Sequence, residues 1–126
     1  MQEENKNKEE SNIKKSNGIN IDDFKKVEIV VGQILSAEKI PDTDKLLKLS
    51  VDLGEGAPRQ IVSGISLYFP DCSVLVNKKC MFVANLESRM IRDIESQGMI
   101  LAISTEDGKF SLLEPNEEIP VGTKAR

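Results

Sequence analysis

Leu47, Leu49, Val51 and Leu53 alternate with Lys48, Ser50 and Asp52. That period of two is the signature of a strand with one face buried and the other in water. Turn chemistry bounds it on both sides. Ile40–Lys45 reads IPDTDK, where Pro41 fixes one dihedral and Asp42 and Asp44 can bond local backbone. Gly54–Pro58 reads GEGAP, a second turn. Similar short apolar runs recur along the chain. Val27, Ile29 and Val31 alternate, Gly32 interrupts, and the run continues through Ile34 and Leu35 to Ala37. A glycine inside a strand pattern predicts a bulge or a barrel bend. RQIVSGI (Arg59–Ile65), CMFVANL (Cys80–Leu86) and SQGMILAIST (Ser96–Thr105) supply the third, fourth and fifth strands. Between the third and fourth, Pro70 excludes a long helix and leaves room for one short helical turn. Asp107-Gly108 signals a hairpin into FSLLEP, a short sixth strand, and EIPVGTKAR offers a last pairing segment.

The fold class is therefore mainly all-β: a five-stranded Greek-key barrel with a short helical turn between the third and fourth strands and an extra C-terminal hairpin. An oligonucleotide/oligosaccharide-binding (OB) barrel fits the count and spacing, and the pattern leaves other small barrels open. In an OB barrel the binding face is built from strands two and three, flanked by the loops joining strands one to two and four to five. Here those loops are Ile40–Lys45 and Asn85–Glu95. Residues 1–21 hold almost nothing to bury, only Glu, Lys, Asn and Ser around scattered isoleucines, and are expected to be a disordered tail or linker. Their four lysines balance their four glutamates, so the formal charge of -4 belongs to residues 22–126, the folded domain. A domain that size buries roughly 60–70% of its unfolded surface, enough to stand without metal or disulfide.

The chain has no histidine. That removes Ser–His and Cys–His nucleophiles and the commonest metal ligand together. Cys72 and Cys80 cannot hold zinc alone, and Cys80, inside an apolar run, reads as a small buried hydrophobe. No cofactor, metal site or catalytic residue is expected. Nothing resembles a secretory leader, and no apolar run approaches membrane-spanning length, so the expected location is cytoplasmic, without membrane contact.

Asn85–Glu95 is long for a hairpin connection, which usually takes about 2–5 residues. From Lys78 to Arg92 the chain carries four basic residues, Lys78, Lys79, Arg89 and Arg92, against one acid, Glu87. Guanidinium forks and ammonium groups of this kind hold phosphates; the same charges would also suit a solvated rim. Asn85 can cap the loop or offer an amide to a base. Ser96 can bond a sugar or base. Met99 can pack under an unstacked base or fill core. Ser63, with Gly64, ends the third strand near the binding face, and Arg59 stands at its edge. None of the five aromatic residues falls on the second or third strand or in the long loop. Single-strand binders use exposed aromatic platforms, so an RNA ligand here is expected to be folded and read by shape and backbone.

DKLLKLSVDLGEGAPRQIVSGI and VANLESRMIRDIESQGMILA resemble the tRNA-binding domain at the C-terminus of many bacterial methionyl-tRNA synthetases. The same module forms free-standing tRNA-binding proteins and part of the endothelial-monocyte-activating polypeptides. The likeness runs from about Phe24 to the end. The family's loop reads N-L-x-P-x-K-M-R-G-x-x-S-x-G-M. Asn85, Leu86, Arg92, Ser96, Gly98 and Met99 match it, while Ser88, Met90, Ile91 and Asp93 depart. The departures remove one cation and add one anion, and so predict modest, salt-dependent affinity. With the resemblance, the RNA-binding set is Asn85, Arg89, Arg92, Ser96, Met99, Lys78 and Lys79, to which position on the third strand adds Arg59 as an edge contact and Ser63, whose other role is to turn the chain at a barrel corner. The resemblance also implies a homodimer and a covalently linked synthetase catalytic domain, the module itself being non-catalytic. Leu112, Leu113, Ile119 and Val121, outside the five barrel strands, would supply the dimer patch, or else fold back over the monomer's own barrel end. The alternative from another class is a dimerisation or peptide-binding module, since a secretion chaperone shares this barrel.

Overall fold

The computed structural model describes residues 17–126. Most of the expected charged tail, residues 1–16, lies outside them. Asn20 caps a single helical turn, α1 (Ile21–Phe24), its side-chain oxygen accepting from Asp23 N at 2.8 Å. No helix among the described residues is long and apolar enough to cross a membrane.

The longest strand, β1 (Ile29–Lys39), is the spine of the sheet. Its first half pairs with β4 (Lys79–Val83) and its second half with β2 (Leu47–Asp52), both antiparallel. The register shifts between Ile34 and Ser36, which leaves Leu35 as the bulged residue and swings the strand from one partner to the other. β2 pairs with β3 (Arg59–Ser63), and β4 with β7 (Met99–Ile100), giving the order β3-β2-β1-β4-β7. The β3 edge then meets residues 96 and 97. Gln97 N donates to Gln60 O (2.8 Å), Gln60 N to Gln97 Oε1 (2.9 Å), and Val62 N to Ser96 Oγ (3.0 Å). The result is a nearly closed, five-stranded antiparallel barrel of the OB type, as the strand pattern predicts.

The alternation of the second strand points where expected: Leu47, Leu49, Val51 and Leu53 are all buried. Two short 3-10 turns, Ser66–Tyr68 and Cys72–Leu75, stand where one helical turn was expected, and Leu75 from the second plugs the core. Cys80 is fully buried, and that burial, reinforced by the charge of Glu114, pushes its thiol up to about 12. It is an unreactive space-filling group. Gly32 does not make the bulge; it makes room. A Cβ there would lie 2.6 Å from Leu53 Cδ2 and 2.7 Å from Phe82 Cδ1, so the Phe82 ring packs directly over bare backbone.

Three expectations are corrected. Val27 lies exposed, and the core face of β1 belongs to Val30 and Ile34 rather than to Val27, Ile29 and Val31. Val31 is buried as well, because the C-terminal segment lies along this stretch: Val31 N donates to Thr123 O (2.9 Å) and Gly122 N to Val31 O (2.8 Å). That segment occupies the β1 edge where β2 has already left. The fifth strand breaks at Leu101, whose N–H reaches Met81 O at 3.0 Å, and continues as β8 (Ala102–Ser104) paired with β9 (Phe110–Leu112) across the Asp107-Gly108 turn. Finally, Leu112 is only 6% exposed and belongs to the core, while Leu113, Ile119 and Val121 are half-buried. They fold back over their own barrel, because Met81 N donates to Leu113 O and the Lys79 ammonium holds the carbonyls of Glu117 and Ile119. Leu112 is thereby removed from any exposed patch, while the side chains of Leu113, Ile119 and Val121 stay partly accessible.

Candidate nucleic-acid interface

The connection from β4 to β7 is not a wandering loop. Residues 89–96 form a hairpin of β5 (Arg89–Ile91) and β6 (Ile94–Ser96), with Arg89 opposite Ser96 and Ile91 opposite Ile94. The two-residue turn is Arg92-Asp93, both with positive φ, 52° and 63°. Two successive positive φ values define the primed turn whose twist matches a hairpin. Arginine and aspartate adopt it at some cost where the resembled family's loop has Arg-Gly. The hairpin thereby lifts Arg92 to its tip.

Its base is anchored on both sides. The Asn85 side chain accepts from Glu28 N at 2.8 Å and donates to Lys26 O. It ties the start of the connection to the segment before β1 instead of capping its own loop. Ser96 is 4% exposed, and its hydroxyl closes the barrel by accepting from Val62 N and donating to Gly98 O (3.2 Å). Gln60 Nε2 holds Glu95 O at 2.9 Å. Gly98 allows close approach: a Cβ there would meet both Val83 O and Ile61 Cδ1 at 3.1 Å.

The basic candidates divide sharply. Arg59 is engaged by Glu55 and by backbone carbonyls. Lys78 pairs with Glu114 at 3.6 Å, and Lys79 is spent on the C-terminal segment. Both lysines also sit at the opposite end of β4 from Asn85, roughly 20 Å of extended chain away at the usual rise, so the fold does not bring them to the hairpin. Arg89 and Arg92 are exposed and have no ion-pair partner among the described residues. Ser63, half-buried, pairs with Leu47 and follows Val62, whose N–H bonds Ser96 at the base of the hairpin.

Beside Arg89 lies a small cavity of about 80 Å³ lined by Val62, Leu86, Ile91, Ser96, Gly98 and Met99, among others. Met99 is 45% exposed, which settles against a core role, and Leu86 and Met90 are exposed at 49% and 66%. Sequence reasoning misses Leu86 and Met90 as surface features. Apolar type alone reads as core, and only the hairpin geometry turns them outward. No aromatic ring lines this cavity. Tyr68 instead stacks on Phe110 at 3.9 Å. The site thus combines two exposed guanidinium groups without an ion-pair partner among the described residues, an apolar rim and a two-stranded support.

A family model described as "Putative tRNA binding domain" matches residues 29–124. The chain is 42% identical over 108 residues to a methionine-tRNA ligase of Enterococcus faecalis, covering 86% of this chain and 16% of that protein. It is 45% identical over 116 residues to the ligase of Helicobacter pylori, covering 92% and 18%. It therefore spans well under a fifth of the length of these relatives. Among solved structures, a MetRS-related protein from Pyrococcus horikoshii superposes with a TM-score of 0.80 at 42% identity, covering 86% of this chain and 98% of that one. The chaperone CsaA of Bacillus anthracis superposes with a TM-score of 0.76 at 27% identity, covering 86% and 99%.

Proposed function

The chain belongs to the tRNA-binding domain family, and from that premise we propose that it is a non-catalytic module that holds folded tRNA for a methionyl-tRNA synthetase. The observation that carries this is the pair of exposed arginines, Arg89 and Arg92, on a hairpin anchored at both ends. In an acidic domain they concentrate positive charge at one projecting point, where guanidinium forks meet phosphate oxygens. Leu86, Met90 and Met99 give sugar or unpaired base an apolar seat. Ser96, Asn85 and Arg59 serve the site by shaping it. Tethered to a cytoplasmic catalytic domain, such a module raises the local tRNA concentration without supplying chemistry. The test is affinity for folded tRNA against an unstructured polypyrimidine of equal length, across salt. Tighter tRNA binding is expected; equal affinity would overturn the reading.

For a homodimer we propose a different face from that of the half-buried Leu113. Ile21, Phe24 and Val27 are exposed and line a groove of about 620 Å³ with Thr123–Arg126. An apolar groove that size fits the same surface on a second copy. Sedimentation at micromolar concentration should give twice the monomer mass of 14.0 kDa, and Phe24→Asp should restore the monomer. A wild-type monomer would instead favour the peptide-binding reading that the likeness to CsaA raises.

A further inference from the structure

Arg59 begins β3, far in sequence from the hairpin, yet it touches both of the hairpin's stems. Its Nη1 donates to Ala84 O, the last residue before Asn85, and to Gln97 O at 3.0 Å, the first residue after β6. The rest of the guanidinium is held by Glu55: Nε to Oε1 at 2.8 Å and Nη2 to Oε2 at 2.6 Å. Glu55 lies in the β2–β3 turn, so the carboxylate fixes the plane of the fork and aims the remaining nitrogen at two carbonyls. One rigid cation thereby pins the end of β4 to the start of β7. A lysine ammonium cannot do this, since it lacks the planar fork that engages Glu55 and both carbonyls together.

We propose that Arg59, oriented by Glu55, is the positioning residue of the tRNA hairpin and not itself a phosphate ligand. This rests on the tRNA-binding reading for its functional consequence, though the latch itself exists without RNA. The two roles differ in what they predict. If Arg59 bound a phosphate, Arg59→Met would shrink the slope of log affinity against log salt by roughly 0.7–0.9, and Arg59→Lys would largely restore it. If Arg59 is a latch, either variant weakens binding about tenfold with the slope unchanged, because the same phosphate contacts form in the complex but the loosened hairpin must first be ordered. Lysine then gives no rescue.

The experiment measures tRNA affinity across salt and, in the protein alone, hydrogen exchange of the amides in residues 86–96. Arg59→Met, Arg59→Lys and Glu55→Gln are compared with wild type. Glu55→Gln leaves both carbonyl bonds available and serves where Arg59→Met does not fold. Faster exchange confined to residues 86–96, with an unchanged salt slope and no lysine rescue, is the expected result. A reduced slope with lysine rescue, or unchanged exchange in all variants, overturns the proposal. If wild type fails to bind tRNA, the functional reading falls separately, and the exchange comparison alone decides whether Arg59 positions the hairpin.

Discussion

Replacing Arg89 and Arg92 together by alanine is expected to weaken tRNA binding about a hundredfold, at roughly tenfold for each charge-assisted hydrogen bond removed. The salt slope should fall by roughly 0.7–0.9 for each phosphate no longer neutralised. Thermal stability should barely move, since both side chains are exposed and neither has an ion-pair partner among the described residues. Asp93→Gly should act in the opposite direction. Asp93 places a carboxylate beside Arg92 at φ 63°, where glycine sits without steric cost. Removing that anion should tighten binding several-fold. Stability should stay within about 0.5 kcal/mol, because relief of the positive φ is offset by the greater freedom of glycine in the unfolded chain. Filter binding or fluorescence anisotropy across salt checks both arms. Unchanged slope in the double variant would mean that the two arginines are solvated rim.

The largest effect on stability is expected at Phe82. Its side chain is fully buried, and Phe82→Ala should cost about 3–5 kcal/mol, with a fall in Tm of roughly 4 °C for each kcal/mol. Gly32→Ala should also destabilise, by about 1–3 kcal/mol, since the new methyl would stand 2.7 Å and 2.8 Å from ring atoms of Phe82. The double variant is the informative one. With the ring gone the methyl keeps only its close approach to Leu53 Cδ2 and loses both ring contacts, so the cost of the pair should be less than the sum of the singles. Strict additivity, measured by denaturant unfolding, would refute direct packing of ring on glycine. This packing matters for the site because Gly32 and Cys80 are paired partners. The crossing sets where β4 delivers Asn85 and the hairpin beyond it.

Much of this molecule is written locally. Alternation from Leu47 to Leu53, the Asp107-Gly108 turn and the break at Pro70 each involve a few neighbouring residues, and each is legible in the chain alone. So is the family, through the residues from Asn85 to Met99. The allotment of the charged and polar groups is not. Ser96, a candidate for sugar or base, spends its hydroxyl on a backbone N–H of β3. Lys79 serves two carbonyls near the C-terminus. Arg59 joins Ala84 to Gln97. Leu112 looks like spare apolar surface until the C-terminal segment returns to cover the barrel. The physical reason is the range of the determinants. Periodicity and turn preference are set by steric and hydrogen-bonding rules between near neighbours. Whether a cation stays free for a phosphate depends on which acceptors the closed barrel brings to it from tens of residues away, and only the tertiary structure decides that.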